Sequence, residues 1–545
     1  MNDRRELNNS PGRNFLRGTL ILTVAGIVVK VIGSLNWIIL SRVLGGEGIG
    51  LYQMAFPIYV LALSVSSAGI PTAISIITAE KLAFYDYRGA NRVFHTSLAV
   101  LTVSGLLFSL LMFFGAEWLI EYRFIRDPRA YYSLVALAPA IFFVTILSSF
   151  RGYLQGWQIM TPTAVSQIVE QLFRVFTMVI FASMLLPRGL EYAAGGASLG
   201  ALPGAVAGLL ILIFYYWRLR RKFQAAESGS LEILPQESRL SIIRRIIKLA
   251  LPVSLANLMT PVVANIDLLI VPARLEVAGF AVEQATELFG YLTGMAMPLV
   301  NLSTILTASL ATSLVPAISE AHSLQDKQRV YQRTAAAMRL AVFITVPSFV
   351  GLYLLASPIS ELIYHAPKAA ESVSILALGV FLLGIHQVTT GVLQGMGHTT
   401  IPVINMGLSA VIKVILNWTL TAIPELGIKG AAWATVADFG VAAVLNMYYV
   451  HRYVGFSMDY NGLAKSSLAA VIMGGVVYLL YNQALAFTAS MTLATTAAII
   501  CGAVIYTLVL LLIGGINERD LAQVPRVGGK IVAFLRRLGF FKPEA

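Results

Sequence analysis

Fourteen long apolar runs constrain this chain more than any other feature of its sequence. Each run is bounded by charges, glycine or proline and reaches the length of about 20 residues that a helix needs to cross a bilayer. Only 12% of the 545 residues are charged, whereas a soluble domain has about 25%. The sequence therefore predicts an all-α integral membrane protein of about 14 transmembrane helices and excludes a large soluble catalytic domain. The predicted spans are 18–41, 54–79, 94–116, 131–151, 162–186, 196–217, 247–272, 288–316, 335–357, 372–395, 401–423, 430–451, 465–486 and 491–514.

The distribution of basic residues predicts the orientation of these spans. With the N-terminus in the cytoplasm, 28 of the 39 Lys and Arg residues lie on the cytoplasmic side, 8 lie opposite and 3 lie within the spans. This bias predicts that both termini are cytoplasmic. It also explains the net charge of +12 by contact with anionic membrane lipids, without nucleic acid as a partner. The charged residues between 117 and 129 are interpreted as a solvated outer loop.

An internal repeat predicts the domain organisation. Gly152-Tyr-Leu-Gln-Gly156 recurs as Gly391-Val-Leu-Gln-Gly395, an offset of 239 residues that also relates Arg174 to Lys413. The offset contains six spans, an even number, so the two copies share one topology and form two pseudo-symmetric six-helix lobes, which is typical of alternating-access transporters. The predicted parts are an N-terminal lobe (1–217), a cytoplasmic linker (218–246), a C-terminal lobe (247–452), helices 13 and 14 (453–514) and a basic amphipathic tail (515–545).

Three cations lie within the spans, and their neighbours predict a polar cavity. Charges at this depth are costly and usually face a cavity or a partner. Arg174 shares a helical stripe with polar residues, and Glu170 precedes it by four positions, so the two predict an ion pair that would be structural or would line the cavity. A cationic cavity favours an anionic substrate, and a pyrophosphate headgroup is the natural candidate. Lys413 belongs to a second polar stripe, on the eleventh span, where Asn405, Ser409, Lys413 and Asn417 repeat every four residues. The predicted substrate-binding residues are Lys30, Arg174, Lys413, Gln167, Glu170 and Asn417.

A second polar group predicts where a coupling ion would bind. Carboxylate and amide oxygens on the seventh span suit a hard cation or a proton, although packing of a polar helix against its neighbours is the preferred interpretation of them. No Walker motif occurs, so no cofactor is expected, and Na⁺ or H⁺ is left open as the coupling ion. The single cysteine excludes an intramolecular disulfide and a metal–thiolate cluster. The ion-coupling candidates are Asp267, Asn257, Asn265, Asp438 and His386.

Several motifs together resemble a known family. Gly45-Gly-Glu-Gly-Ile-Gly-Leu-Tyr52, Gly69-Ile-Pro-Thr-Ala-Ile-Ser75, Arg151-Gly-Tyr-Leu-Gln-Gly156 and Leu314-Val-Pro-Ala-Ile-Ser-Glu320 are similar to the stage V sporulation protein B group. That group is in the polysaccharide-transporter branch of the multidrug/oligosaccharidyl-lipid/polysaccharide exporter superfamily.

The resemblance implies a function. It implies flipping of undecaprenyl-pyrophosphate-linked glycans, above all lipid II, across the bacterial cytoplasmic membrane, with the last two helices forming a lipid groove. It also implies a link to spore cortex peptidoglycan and to cell-wall synthesis proteins as partners. Lys30-Val-Ile-Gly33 matches a basic element of the lipid II flippases, so Lys30 inherits a headgroup contact. Asn36, also a candidate binding residue, stands where those proteins carry arginine.

Three other functions are alternatives to a flippase as interpretations of this sequence. A cation-coupled multidrug exporter of the same superfamily would favour acidic cavity residues, whereas the cavity predicted here is basic. A membrane-embedded glycosyltransferase would need acidic or His clusters on a large outer loop, and the outer loops are short, so the chain is not expected to be an enzyme. A non-transporting scaffold for cell-wall synthesis is compatible with the sequence.

Overall fold

The chain is almost entirely helical. The computed structural model describes residues 11–67, 69–229 and 237–515, except for the side chains of 11–20, 23, 222–229, 252, 255–257 and 260. The predicted tail and the centre of the predicted linker lie outside this description. The helices are α1 (Pro11–Ser67), α2 (Ile70–Ala83), α3 (Tyr87–Glu121), α4 (Tyr131–Gly156), α5 (Thr161–Leu185), α6 (Leu190–Leu199), α7 (Ala201–Gly229), α8 (Arg239–Val277), α9 (Val282–Gly290), α10 (Met297–Ser303), α11 (Ile305–Ser323), α12 (Lys327–Leu354), α13 (Ala356–Tyr364), α14 (Ala370–Gly395), α15 (Thr400–Leu420), α16 (Ile428–Val454), α17 (Tyr460–Thr488) and α18 (Met491–Leu512).

Length and hydropathy support many membrane crossings. Within the described ranges, 11 helical segments are long and apolar enough to span a bilayer, or up to 12 if one bent pair counts as a span. This confirms an all-α multi-pass membrane protein. The count of fourteen stays a prediction, because it requires that the 60-residue segment Val24–Ala83 crosses twice and that α8 also crosses.

Two of the predicted spans follow each other across a kink at a single residue. The structure runs α1 from Pro11 to Ser67, across the predicted loop between the first and second spans. The single break inside it is Gly45, with φ 65° and ψ −173°. This region of backbone space is open almost only to glycine. The sequence predicts a loop over 42–53, whereas the structure has one non-helical residue there, Gly45, with helix on both sides of it.

The predicted eighth span is interrupted. It begins as α9, continues through a π-helical turn over Tyr291–Ala296, and then bends by 53° between α10 and α11. Pro298, at the start of α10, has no N–H to donate to the preceding turn, so the regular α-helical hydrogen bonds are lost there. The hydropathy pattern predicts the length of this span, but it does not predict the breaks.

The repeated glycine motif is a helix-packing element. A Cβ at Gly152 would lie 2.6 Å from the carbonyl oxygen of Pro71 on α2, and one at Gly391 would lie 2.7 Å from that of Ala311 on α11. Only glycine permits such close approach of two backbones. The motif therefore recurs because α4 on α2 and α14 on α11 make the same close contact.

The chain divides into two compact units. The first contains the described residues up to Glu276 together with Phe280–Gly290, and the second contains Val277–Gly279 and the residues from Tyr291 onward. The core of the first is centred on Phe94, whose ring lies 4.7–5.0 Å from those of Phe150, Tyr153 and Tyr216. The core of the second joins Ile318, Val388, Val392 and Val450 from three helices. The lobe boundaries given by the repeat stay a prediction.

Aspartate side chains cap the N-termini of three helices. Asp86, Asp326 and Asp459 each accept a hydrogen bond from the backbone N–H three residues later, at 2.7, 2.9 and 2.9 Å. They cap α3, α12 and α17. A carboxylate at this position satisfies a free N–H and interacts favourably with the helix dipole.

A charged cluster links the start of α8 to the end of α2 in the first unit. Lys81 Nζ lies 3.2 Å from Glu237 Oε2, and Arg245 pairs with Glu80. Partial burial raises the pKa of Glu237. The hydrogen bond from Ser241 and the charges of Lys81 and Arg245 outweigh that effect, so that the pKa lies below its ordinary value.

The interpretation of 117–129 as a solvated loop is wrong for its second half. Asp127 is only 1% exposed and accepts hydrogen bonds from Arg129 and from Thr286 of α9, the latter at 2.9 Å. Arg129 also donates to Glu47 at 2.6 Å. The loop is an ion network that ties α1, the start of α4 and α9 together within the first unit.

Candidate substrate-binding site

Arg174 in the first unit lies against aromatic rings. Its guanidinium carbon is 5.8 Å from the ring centroids of both Phe56 and Tyr59 on α1. Tyr52 stacks on Phe56 with centroids 5.5 Å apart. Positions 52, 56 and 59 share one helical face, so α1 presents three aromatic side chains to α5. Cation–π attraction holds the guanidinium there, and the hydroxyls of Tyr52 and Tyr59 also interact with it, while its buried Nη2 has no hydrogen-bond partner among the described residues.

The predicted pair of Glu170 with Arg174 is replaced by another. Glu170 Oε2 lies 2.8 Å from Nη2 of Arg151 on α4, and Arg151 also donates to Ser166 Oγ at 3.2 Å. Among the described residues Arg174 has no carboxylate within 4.0 Å, and its buried Nη2 has no hydrogen-bond partner. The carboxylate that the spacing assigns to Arg174 is therefore neutralised by a neighbouring helix.

The remaining candidates of the first unit lie on α1 and α5. Lys30 is exposed on the part of α1 before Gly45. Asn36 is buried and donates to the sulfur of Met178 on α5 at 3.6 Å, while its Oδ1 has no hydrogen-bond partner in the described part of the chain. Gln167 is half-buried on α5. Asn36 therefore lies at the packed contact between α1 and α5, whereas Lys30 lies outside it.

Lys413 in the second unit is buried beside a carboxylate. The residue is 5% exposed, and its Nζ lies 3.9 Å from Oδ2 of Asp438 on α16. Asp438 Oδ1 accepts a hydrogen bond of 2.6 Å from Ser409, one turn before Lys413 on α15. Asn417, one turn after Lys413, is fully buried. The stripe predicted on this helix thus faces the protein interior.

The two cations lie in equivalent positions with different partners. The offset of 239 relates Arg174 to Lys413 and Glu170 to Ser409. It also relates Arg151 and Ser166, which contact each other, to Thr390 and Asn405, which are bridged by Asn446 through bonds of 2.9 and 2.8 Å. In the first unit these equivalent positions are joined by the ion pair of Arg151 with Glu170. In the second unit they are joined by the hydrogen bonds of Asn446 across α14, α15 and α16, with the ion pair of Lys413 and Asp438 beside them.

The candidate coupling residues are distributed over both units. Asn265 donates to the carbonyl oxygens of Pro57 and Pro261, at 2.9 and 2.8 Å, so its amide nitrogen joins α8 to α1. Asp267 is half-buried on α8, and the side chain of Asn257 lies outside the described residues. His386 on α14 has a buried Nε2 without a hydrogen-bond partner in the part of the chain that the structure describes. Within that part no group of three His, Cys, Asp or Glu residues could hold a metal ion.

A large apolar cavity lies in the second unit. Its volume is about 580 Å³, and it is enclosed by α10, α12, α13, α17 and α18. The lining is almost wholly apolar and includes Leu302, Phe343, Ile359, Ala503 and Leu510. A cavity with this lining accommodates a hydrocarbon chain and offers nothing to a polar headgroup.

Arg151 and the three aromatic residues were missed by sequence reasoning. Arg151 was counted among the cytoplasmic residues, because it ends a span and precedes a polar turn. The repeat would have identified it, since the same offset relates it to Thr390, a polar residue within the tenth predicted span. The spacing of Tyr52, Phe56 and Tyr59 was likewise visible, but apolar spans contain many such faces.

Fold and site together define a multi-pass membrane transporter with buried cations and a hydrocarbon-lined cavity. The model of the polysaccharide biosynthesis protein family matches residues 15–322, and the MatE model matches residues 292–419. The chain belongs to the polysaccharide biosynthesis protein family, within the multidrug/oligosaccharidyl-lipid/polysaccharide exporter superfamily. The family predicted from the sequence motifs is thereby confirmed.

Named relatives extend over nearly the whole chain. Stage V sporulation protein B of Bacillus subtilis (strain 168) is 32% identical over 526 residues, which cover 95% of this chain and 99% of the relative. Lipid II flippase MurJ of the same organism is 25% identical over 478 residues, covering 85% and 87%. A solved structure of lipid II flippase MurJ in an inward closed conformation superposes with a TM-score of 0.70 at 17% identity, covering 92% of this chain and 100% of that one. Two of these relatives are named as flippases, that is, as transport proteins and not as enzymes.

Proposed function

We propose that the protein flips an undecaprenyl-pyrophosphate-linked glycan, lipid II or a related peptidoglycan or polysaccharide precursor, across the bacterial cytoplasmic membrane by alternating access. Spore cortex synthesis is the process in which it acts. Both termini lie in the cytoplasm, and the two repeated six-helix lobes alternate around the substrate. Cell-wall synthesis proteins are its partners.

The observation that carries this proposal is the environment of Arg174. A guanidinium without a carboxylate partner in the described chain is costly inside a membrane span unless a ligand provides the negative charge. Phe56 and Tyr59 stabilise the cation but leave a buried N–H without an acceptor. A diphosphate supplies both charge and acceptor oxygens, and arginine binds such groups through paired N–H donors.

The apolar cavity of the second unit supports a lipid-linked substrate. Burying hydrocarbon is favourable by about 0.8 kcal/mol per CH₂ group, so a prenyl chain would bind there from the membrane with its headgroup directed elsewhere. The lining is contributed in part by α17 and α18, the two helices that follow the repeat. Their position agrees with the lipid groove that the family resemblance implies.

The energy source is an ion gradient acting on the same helices. No cofactor takes part, and H⁺ or Na⁺ is the coupling ion. Of the predicted coupling residues, Asp438 is buried and touches the cation that we assign to the headgroup.

A cation-coupled multidrug exporter is the second candidate, and the MatE match over 292–419 favours it. A cationic drug needs an acceptor carboxylate in the cavity. Glu170 and Asp438 are both already paired, with Arg151 and Lys413. The anionic substrate therefore has the stronger support.

The test is transport by purified protein in liposomes. Lipid II is placed in one leaflet, and its appearance in the other leaflet is followed for the wild type, Arg174→Gln and Arg174→Lys. We expect Arg174→Gln to slow transport at least tenfold, since one headgroup contact to a charged side chain contributes about 1.5–3 kcal/mol. We expect Arg174→Lys to retain part of the rate, because it keeps the charge but loses the paired donors.

The matched control is Arg188→Gln. Arg188 is an exposed arginine after α5. It should transport like the wild type. Transport of lipid II at the wild-type rate by Arg174→Gln would refute the headgroup assignment, and export of cationic dyes in place of lipid II would favour the second candidate.

A further inference from the structure

We propose that Lys413 exchanges partners during transport: its ammonium leaves Asp438 for the substrate's diphosphate, and Asp438 then takes up one proton. Each substrate molecule bound is thus accompanied by one proton. This inference rests on the proposed function and deepens it at the same site.

The ion pair has the geometry of an exchangeable contact. Lys413 Nζ and Asp438 Oδ2 are 3.9 Å apart, beyond the 3.2 Å that a normal N–H···O hydrogen bond requires. Their attraction is therefore a matter of charge, not of a formed hydrogen bond. A diphosphate oxygen at hydrogen-bond distance would bind the same ammonium more strongly, because it adds both a closer approach and more negative charge.

Asp438 has little to stabilise its negative charge once the ammonium of Lys413 has moved away. Its side chain is 12% exposed, and among the described residues it accepts a hydrogen bond of 2.6 Å from Ser409 Oγ besides its contact with Lys413. A buried carboxylate without a countercharge is strongly unfavourable, and such groups bind a proton instead. Once protonated, Asp438 can donate to Ser409, whose hydroxyl can accept as well as donate.

The helices packed on α16 provide few other charges to Asp438. Besides Lys413, α15 has no titratable residue, and α14 contributes Glu371 and His386. Glu371 pairs with Lys429, nine residues and about 13 Å before Asp438 along the axis of α16. α12 packs against the other end of α16, around Ala443 and Val450. His386 is therefore the nearest alternative acceptor of the proton.

The equivalent junction of the first unit shows why the exchange belongs to the second. There the acid is Glu170, and its partner is Arg151 at 2.8 Å, while Arg174 rests on aromatic rings. An anion that binds Arg174 displaces no carboxylate, so no proton need follow. An anion that binds Lys413 displaces Asp438.

The exchange balances without an additional reactant. Lys413 stays protonated throughout, the diphosphate replaces the carboxylate as its partner, and the proton comes from water on the side where substrate binds. When the substrate leaves, Lys413 returns to Asp438 and the proton is released on the other side. Substrate and proton therefore move outward together, so this proton is not the ion whose gradient drives export. Each must strengthen the binding of the other by the same factor.

Isothermal titration calorimetry of the purified full-length protein tests this linkage. Farnesyl diphosphate is titrated at one pH in two buffers of different ionisation enthalpy, which gives the number of protons taken up per ligand. The proteins compared are the wild type, Asp438→Asn, and Glu371→Gln as a matched loss of an exposed carboxylate on a neighbouring helix. We expect uptake by the wild type and by Glu371→Gln to exceed that by Asp438→Asn by close to one proton.

The same titrations over a range of pH provide a second readout. The affinity of the wild type should rise up to tenfold for each unit by which the pH is lowered, relative to Asp438→Asn. Equal proton uptake by the wild type and Asp438→Asn, with both binding the ligand, would overturn the exchange but leave the proposed flippase function standing. Loss of the uptake in His386→Gln and not in Asp438→Asn would also overturn it. Failure of the wild type to bind any prenyl diphosphate would overturn both.

Discussion

The closest helix contact in the first unit allows a quantitative prediction. A Cβ at Gly50 on α1 would lie 2.0 Å from the carbonyl oxygen of Thr286 on α9, whereas real Cβ contacts are not shorter than 3.0 Å. Gly50→Ala therefore forces the two helices apart by about 1 Å, which lengthens the hydrogen bond from Thr286 to Asp127 beyond its present 2.9 Å. Overpacking of this kind costs about 1–3 kcal/mol, and a broken hydrogen bond to a charged group adds about 1.5–3 kcal/mol.

Alanine also gains about 1 kcal/mol of helix propensity over glycine, so the expected net loss is about 1.5–5 kcal/mol. At about 2.1 cal/mol/K per residue, this lowers the Tm of a 545-residue chain by roughly 1–4 °C. The measurement is thermal unfolding in detergent. Gly26→Ala on the same helix is the control, because a Cβ there has nothing within 4 Å. Equal Tm values for the two variants would refute the reasoning, and so would recovery of Gly50→Ala by Thr286→Ala, since the clashing atom belongs to the backbone.

Three further predictions concern other parts of the chain. Lys413→Ala should destabilise the protein by about 2–3 kcal/mol, because it leaves a buried carboxylate unpaired, and adding Asp438→Asn should restore most of the loss in a double-mutant cycle of Tm values. Because the pKa of Glu237 is lowered in the folded chain, its charged form contributes less than about 1 kcal/mol to the free energy of unfolding. This contribution is complete above the ordinary pKa of 4.5 and is lost as the pH falls below it. Acid should therefore reduce the hydrogen-exchange protection at the start of α8 in the wild type, and this pH dependence should be absent in Glu237→Gln. Ala503→Trp should fill the apolar cavity and slow lipid II transport, whereas Val504→Trp, on an exposed neighbouring position outside the lining, should leave the rate unchanged.

The sequence predicted the helices of this fold better than it predicted their interruptions. Apolar runs report length, because burial in lipid requires about 20 such residues wherever they occur. The continuity of α1 and the breaks in the eighth span depend on single residues, Gly45 and Pro298, whose effect is set by local backbone geometry. The burial of Asp127 depends on α9, which follows it by about 160 residues and which no local pattern connects to it.

The candidate site was predicted residue by residue but not contact by contact. Helical spacing identified the stripes of α5 and α15, and the buried Lys413 and Asn417 agree with it. Spacing within one helix also favoured the pair of Glu170 with Arg174. The structure assigns that carboxylate to Arg151, because a guanidinium from an adjacent helix reaches it with better geometry than one placed a turn away. Pairing across helices is a tertiary property, and a sequence reveals it only through repeats such as the offset of 239.

The kink at Gly45 divides α1 into two helical arms. The first arm carries Lys30 and Asn36, and the second carries the aromatic rings that hold Arg174. The backbone torsions of one residue therefore set the angle between the two arms. Any substitution at this position penalises the bent form, whatever side chain replaces glycine. Replacing this one glycine would therefore shift Lys30 and Asn36 relative to the aromatic rings of the second arm.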